Sequence, residues 1–88
     1  HSELLEIKMQ KAWNDVNKSY RQLHIADRSI EQAKENLRLN NDYYKAGISK
    51  ISDLLEAQFL YQQACDKRTD AYADYQNKLL EYQQSVGQ

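Results

Sequence analysis

Two carboxylates, Asp53 and Glu56, stand three residues apart, a spacing that puts both on one face of a helix. Such a pair can do one of two things. It can offset the positive end of a helix dipole. It can also form part of a charged ring that selects ions by sign, if several copies surround an axis. Position alone leaves both readings open. His24 and Asp27, also three apart, could offer two metal ligands, but nothing nearby supplies the rest of a coordination shell. No metal and no cofactor is therefore expected. Cys65 is the single cysteine, so it forms no internal disulfide and says little about the redox compartment. No histidine lies close to it in sequence, and it is expected to act as a small buried hydrophobe. Enzymes need convergent polar groups in a pocket, and these residues do not provide one. A non-catalytic protein is expected.

The elements that carry these residues must be few and long. The chain has 88 residues, no proline, and glycine only at positions 47 and 87. Without helix breakers over the first 46 positions there is little room for turns. Thirteen acids nearly balance twelve bases, for a net charge of -1, so no basic surplus points to nucleic acid. No apolar run approaches the ~20 residues that cross a bilayer. The chain begins with His rather than Met and carries no signal peptide, which suggests a piece of a longer protein. Leu, Ile, Val and Phe together number only 18, against 7 Tyr, 10 Gln and 6 Asn. That is too poor for a compact globule of this size and suits a thin hairpin that completes its burial against neighbours.

Steps of four and three from Leu5 run through Met9, Ala12, Val16, Ser19, Leu23, Ala26, Ile30, Ala33, Leu37, Asn40 and Tyr44. This heptad seam lasts more than five repeats and predicts a coiled-coil helix. Its columns alternate large and small side chains, which lets layers interlock. A second seam is expected along Ile51, Leu54, Gln58, Tyr61, Cys65, Arg68, Tyr72, Tyr75, Leu79, Tyr82 and Val86, with a neighbouring column at Ala57, Ala64 and Ala71. Two adjacent seams on one helix suggest two helical neighbours, one more than a hairpin supplies. Trp13 and Tyr20, seven apart beside the first seam, are expected to anchor a helix interface, with His24 on its flank. The acid-first pairs Asp15–Lys18, Glu31–Lys34, Glu35–Arg38 and Asp42–Lys45 suggest a solvated outer face.

Gly47 marks the stop of the first helix, because glycine accepts the left-handed conformation cheaply. Ile48 is expected to pack back on Tyr43, and Ser49 or Ser52 to cap the second helix, with Asp53 favouring its positive end. The fold class is thus all-α: one antiparallel two-helix coiled-coil hairpin, with helices at about 2–45 and 50–86 and a turn at 46–50. At 1.5 Å per residue its length is about 55–65 Å, and the seven-residue period implies a left-handed supercoil.

The stretch from Tyr44 to Gln58, reading YKAGISKISDLLEAQ, resembles the helical-hairpin tip of the TolC-like outer membrane efflux proteins. The pattern is a Tyr, a Gly three residues on, a short polar turn, then Asp-Leu-Leu-x-Ala-Gln. Ala64, Ala71, Tyr75, Leu79, Leu80 and Gly87 follow at compatible spacings. The likeness covers residues ~33–87 through motif and spacing, and residues 1–32 through heptad character alone. It implies a homotrimer with a β-barrel in the outer membrane and an α-helical barrel in the periplasm. Such a trimer is the exit duct of multidrug efflux pumps and type I secretion systems in Gram-negative cells. Contact with the membrane would come only through that β-barrel, which lies outside this segment. The resemblance makes Ala46, Gly47, Ile48 and Ser49 a tip that docks a periplasmic adaptor protein, itself joined to an inner-membrane pump. It makes Asp53 and Glu56 acids facing the pore at its closed entrance, and Tyr44 a residue that helps tie the tips shut. Two departures stand out: Ala46 replaces a usual Val, and Ser49 occupies a position that is Arg in some members.

Two rivals share the heptads. One is the coiled-coil hairpin of the adaptor itself, whose tip carries Arg, Leu and Ser several residues apart. Arg38, Leu39 and Ile48-Ser49 match that pattern in part, whereas Asp53 to Gln58 fits the duct better. The other is a generic helical interaction module, which explains the heptads but not the tip motif.

Overall fold

The computed structural model describes residues 2–86, and they form a single helical hairpin. Helix α1 runs Ser2–Lys45 and helix α2 runs Ile51–Val86, with residues 46–50 between them. The rod measures 68 × 14 × 13 Å, slightly longer than expected because α1 alone, at 44 residues, spans about 66 Å.

The register is plain from three contacts. Trp13 meets Tyr82 with ring centroids 5.3 Å apart, and Tyr20 meets Tyr75 at 5.6 Å. Asp27 Oδ1 accepts a hydrogen bond from Arg68 Nε at 2.9 Å. Each step of seven along α1 is matched by a step of seven back along α2. The antiparallel helices are therefore in one unbroken heptad register.

On α1 the buried positions are Val16, Ser19 and Ala26, with Ala12, Leu23, Ile30, Ala33 and Leu37 half-buried, all on the expected seam. The buried Ser19 hydroxyl is satisfied locally by donating to the Val16 carbonyl at 2.8 Å. Asn40 does likewise on a half-buried position, donating to the Asn36 carbonyl.

On α2 the seam differs from expectation. Leu54, Ala57 and Ala64 are buried, and Tyr61, Arg68, Ala71, Tyr75, Lys78 and Tyr82 are half-buried. The column of Ala57, Ala64 and Ala71 therefore faces α1. The column of Ile51, Gln58, Cys65, Tyr72 and Leu79 lies on the flank, with Ile51 49% and Tyr72 45% exposed. Size explains the choice. Small side chains opposite the small column of α1 let the backbones close up, whereas Gln58 and Tyr72 in that place would hold them apart. Cys65 is half-buried on this flank rather than enclosed.

The outer faces carry ion pairs, but not all in the expected pairing. Glu35 pairs with Arg38 as anticipated, whereas Asp15 takes Lys11 and Asp42 shares Arg38. The hydrogen bond from Arg38 holds the Glu35 carboxyl below the usual range, opposed by desolvation and aided by the guanidinium's positive charge. No helix of the described residues is long and apolar enough to cross a membrane.

Candidate functional site at the hairpin tip

The tip is built by hydrogen bonds from the main chain. The Ile48 N–H donates to the Tyr43 carbonyl at 2.8 Å, and the Gly47 N–H donates to the Tyr44 carbonyl at 3.0 Å. These two bonds, with Gly47 at φ +75°, make a Schellman stop. The Ser49 N–H also reaches the Tyr43 carbonyl, at 3.4 Å. The carbonyls of Asp42, Tyr43 and Tyr44 are thus satisfied without help from side chains.

Two local expectations need correction. Ile48 does not fold back on Tyr43: it is 75% exposed, and the link between them is the main-chain bond. Neither Ser49 nor Ser52 caps α2. The cap residue is Lys50, whose carbonyl accepts from the Asp53 and Leu54 N–H groups at 3.1 and 3.4 Å. Asp53 Oδ2 accepts in return from the Lys50 N–H at 3.4 Å. That is the reciprocal half of a capping box, supplied by the acid three residues on. The Ser49 hydroxyl, half-buried, makes no hydrogen bond among the described residues.

The anticipated tip residues therefore fall into two groups. Ala46, Gly47 and Ile48 form the exposed apex, with Ser49 beneath it. Asp53 and Glu56 sit one turn below on α2, both exposed. They line an open depression of about 270 Å³, together with Ala57 and Leu60 and with Asn36 and Asn40 from α1. Two acids and two amides thus meet across the seam. Asp53 is partly engaged as a cap, and Glu56 makes no ion pair among the described residues. Tyr44, 43% exposed, lends its carbonyl to the turn while its hydroxyl makes no hydrogen bond among the described residues.

Three features were not anticipated. The amides of Asn36 and Asn40 join the acids, because Asn40 is the last half-buried seam position and Asn36 stands one turn before it. The Asp27–Arg68 pair crosses between the helices, and the Arg68 guanidinium also lies 5.5 Å from the Tyr72 ring centre. The third is Tyr61. Hydrogen bonding with Cys65, one turn on, pushes its phenol above the ordinary tyrosine range. Repulsion from the thiolate, desolvation and the Glu31 charge add to that. Among the described residues no group of three or more His, Cys, Asp or Glu side chains is placed to hold a metal ion. Set beside known proteins, the chain matches no protein-family model, no curated protein and no solved structure.

Proposed function

We propose that this hairpin is the periplasmic coiled-coil segment of a trimeric outer membrane efflux or secretion duct, and that its tip docks a periplasmic adaptor protein. The supporting observation is the apex: a glycine stop that presents Ala46, Gly47 and Ile48 to solvent at the end of a 68 Å rod. A segment that ends a long rod in an exposed apolar residue is suited to end-on contact with another rod. Ile48 serves the turn only through its main chain, and at 75% exposure its side chain is left open to solvent.

In this reading the role is mechanical. Tips held together close the duct, and adaptor contacts favour the open arrangement by binding it better. Glu56, free of ion pairs among the described residues, is the stronger pore-facing candidate, while Asp53 serves its own helix as a cap and adds charge to the same depression. No step of bond making or breaking is assigned to the chain. The flank column on α2 supplies the second neighbour that a barrel of helices requires, since it remains half open in the lone hairpin.

The rival reading, in which the hairpin belongs to the adaptor, asks Arg38 to present its charge to a partner. Here Arg38 is held by both Glu35 and Asp42, nine residues short of the apex. The coding sequence on either side of the segment decides between the two. Alternating strands of about ten residues and a second copy of the hairpin support the duct. Flanks that fold as small soluble β-domains would make the chain the adaptor's hairpin.

A further inference from the structure

Each helix keeps an outer edge, on the side away from the other helix. On α2, Phe59, Asp66 and Ala73 follow Ala57, Ala64 and Ala71 by two residues, which sets them about 200° around the helix from the alanine column. Leu55, two residues before Ala57, shares that edge, and all four are exposed. On α1, Arg21 and Arg28 follow the buried Ser19 and Ala26 in the same way. Exposed Ile25 and half-buried Leu39 border this second edge. Arg21, Arg28 and Asp66 make no ion pair among the described residues.

The two edges match level by level. Counting from the Asp27–Arg68 pair, each residue toward the tip on α1 goes with one residue earlier on α2. Leu39 then stands level with position 56, between Leu55 and Phe59. Arg28 stands level with position 67, one residue from Asp66. Ile25 stands level with position 70, between Thr69 and Ala73. From the tip downward each edge thus runs apolar, charged, apolar, and the charges are opposite. Glu35 and Asp42 lie on the same edge of α1 but are already held by Arg38. Leu80, toward the base, is the exception, one residue from the level of Asn14.

We infer that copies of this chain join side by side, the outer edge of α2 in one on the outer edge of α1 in the next, level with each other and with all tips pointing one way. The two edges face opposite directions, so this contact is heterologous and closes into a ring. A two-fold pair would instead set an edge on its own kind, Asp66 against Asp66 or Arg28 against Arg28, and like charges oppose that. Reversed neighbours would lay Leu55 and Phe59 against Gln10 and Asn14 at the far end of the rod. The flank column of Gln58, Cys65 and Tyr72 runs between the inner seam and the outer edge of α2, so the same neighbour borders its open side. The inference deepens the duct reading and rests on it for the ring size of three; the pairing of edges comes from the residues themselves.

The test uses the 88-residue chain. Sedimentation equilibrium at hundreds of micromolar gives three times the 10.4 kDa chain mass. Asp66→Arg and Arg28→Asp, each at an exposed position, keep the helical circular dichroism and return the mass to that of one chain. Combined in one chain they restore the three-chain mass, because each swapped edge again meets its opposite. Direction is read by Asp42→Cys with Ser52→Cys in a Cys65→Ser background. Within one chain these two positions lie on opposite edges of a rod 14 Å across, beyond the reach of a disulfide. Oxidation therefore joins neighbouring copies, and only if their tips lie together. A single-chain or two-chain mass, a single swap that still associates, a double swap that does not recover, or association without the tip disulfide would each overturn the proposal. A mass of four or more chains that responds to the swaps as expected would support the edge pairing and count against the three-fold duct.

Discussion

Gly47 offers the sharpest perturbation of the turn. It sits at φ +75°, and a Cβ built there meets nothing within 4 Å. The cost of a side chain is therefore conformational rather than a clash. For an L-residue in the left-handed region that cost is about 1–2 kcal/mol, with a β-branched residue at the upper end or beyond because its χ1 freedom shrinks as well. Gly47→Ala should lower stability by about 1 kcal/mol and Gly47→Val by about 2 kcal/mol, while Gly47→Asn, which tolerates this region, should cost less than either. For a chain of this size, each kcal/mol corresponds to a fall in Tm of about 4–8 °C. Thermal and urea unfolding followed by circular dichroism at 222 nm measures all three. The order Asn, Ala, Val is the signature of a dihedral cost in open space. Equal stability for glycine and valine would refute the placement of the left-handed residue. A loss for alanine as large as for valine would mean that the Cβ meets an obstacle.

Other outcomes follow from the seam and the charges. Ala57→Leu, at a position only 2% exposed, should overpack the small-residue column and cost about 1–3 kcal/mol, whereas the neighbouring Gln58→Leu on the flank should change stability by less than ~0.5 kcal/mol; urea midpoints compare them, and the reverse order would restore the seam first expected for α2. Cys65→Ala should move the ionisation of Tyr61, followed by absorbance at 295 nm, to lower pH. Because its phenol is raised in the folded state, its contribution to stability is complete below the ordinary tyrosine range and is lost as pH climbs through the raised value. On the proposed duct reading, Glu56→Ala should reduce cation preference in single-channel recordings of the duct more than Asp53→Ala does, and Asp53→Ala should cost the hairpin about 0.5–1 kcal/mol as a lost cap. Unchanged selectivity in both variants would leave the two acids with structural duties alone.

The α1 seam was legible from Ala12 to Asn40 because its period is unbroken there and its polar exceptions, Ser19 and Asn40, are small enough to bond their own helix, whereas Leu5, Met9 and Tyr44 at its ends are 59%, 38% and 43% exposed. The turn was legible because one glycine stands where the period stops. The α2 seam was not fully legible, since three columns recur every seven residues there and apolar character alone does not rank them. The alanine column won on size: it meets the small column of α1, and the bulkier Tyr72 is left outside. The cap was misplaced because serine is the commoner cap residue, whereas here the main chain turns at Lys50 and Asp53 reaches back to it. The Asp27–Arg68 pair joins residues 41 positions apart, so it appears only once the register is known. The meeting of Asn36 and Asn40 with Asp53 and Glu56 depends on the same register.

The tip carries the central claim, and its contacts in the intact parent test that claim most directly. A photo-reactive amino acid in place of Ile48, irradiated in cells that express the parent with its pump components, should give one major adduct. Mass spectrometry should place that adduct at the hairpin tip of a periplasmic adaptor protein. The same probe in place of Gln32, an exposed residue 13 positions before the end of α1, should give no adaptor adduct. Adaptor adducts from Gln32 and none from Ile48, or no adaptor adduct from either, would contradict end-on docking and with it the duct reading.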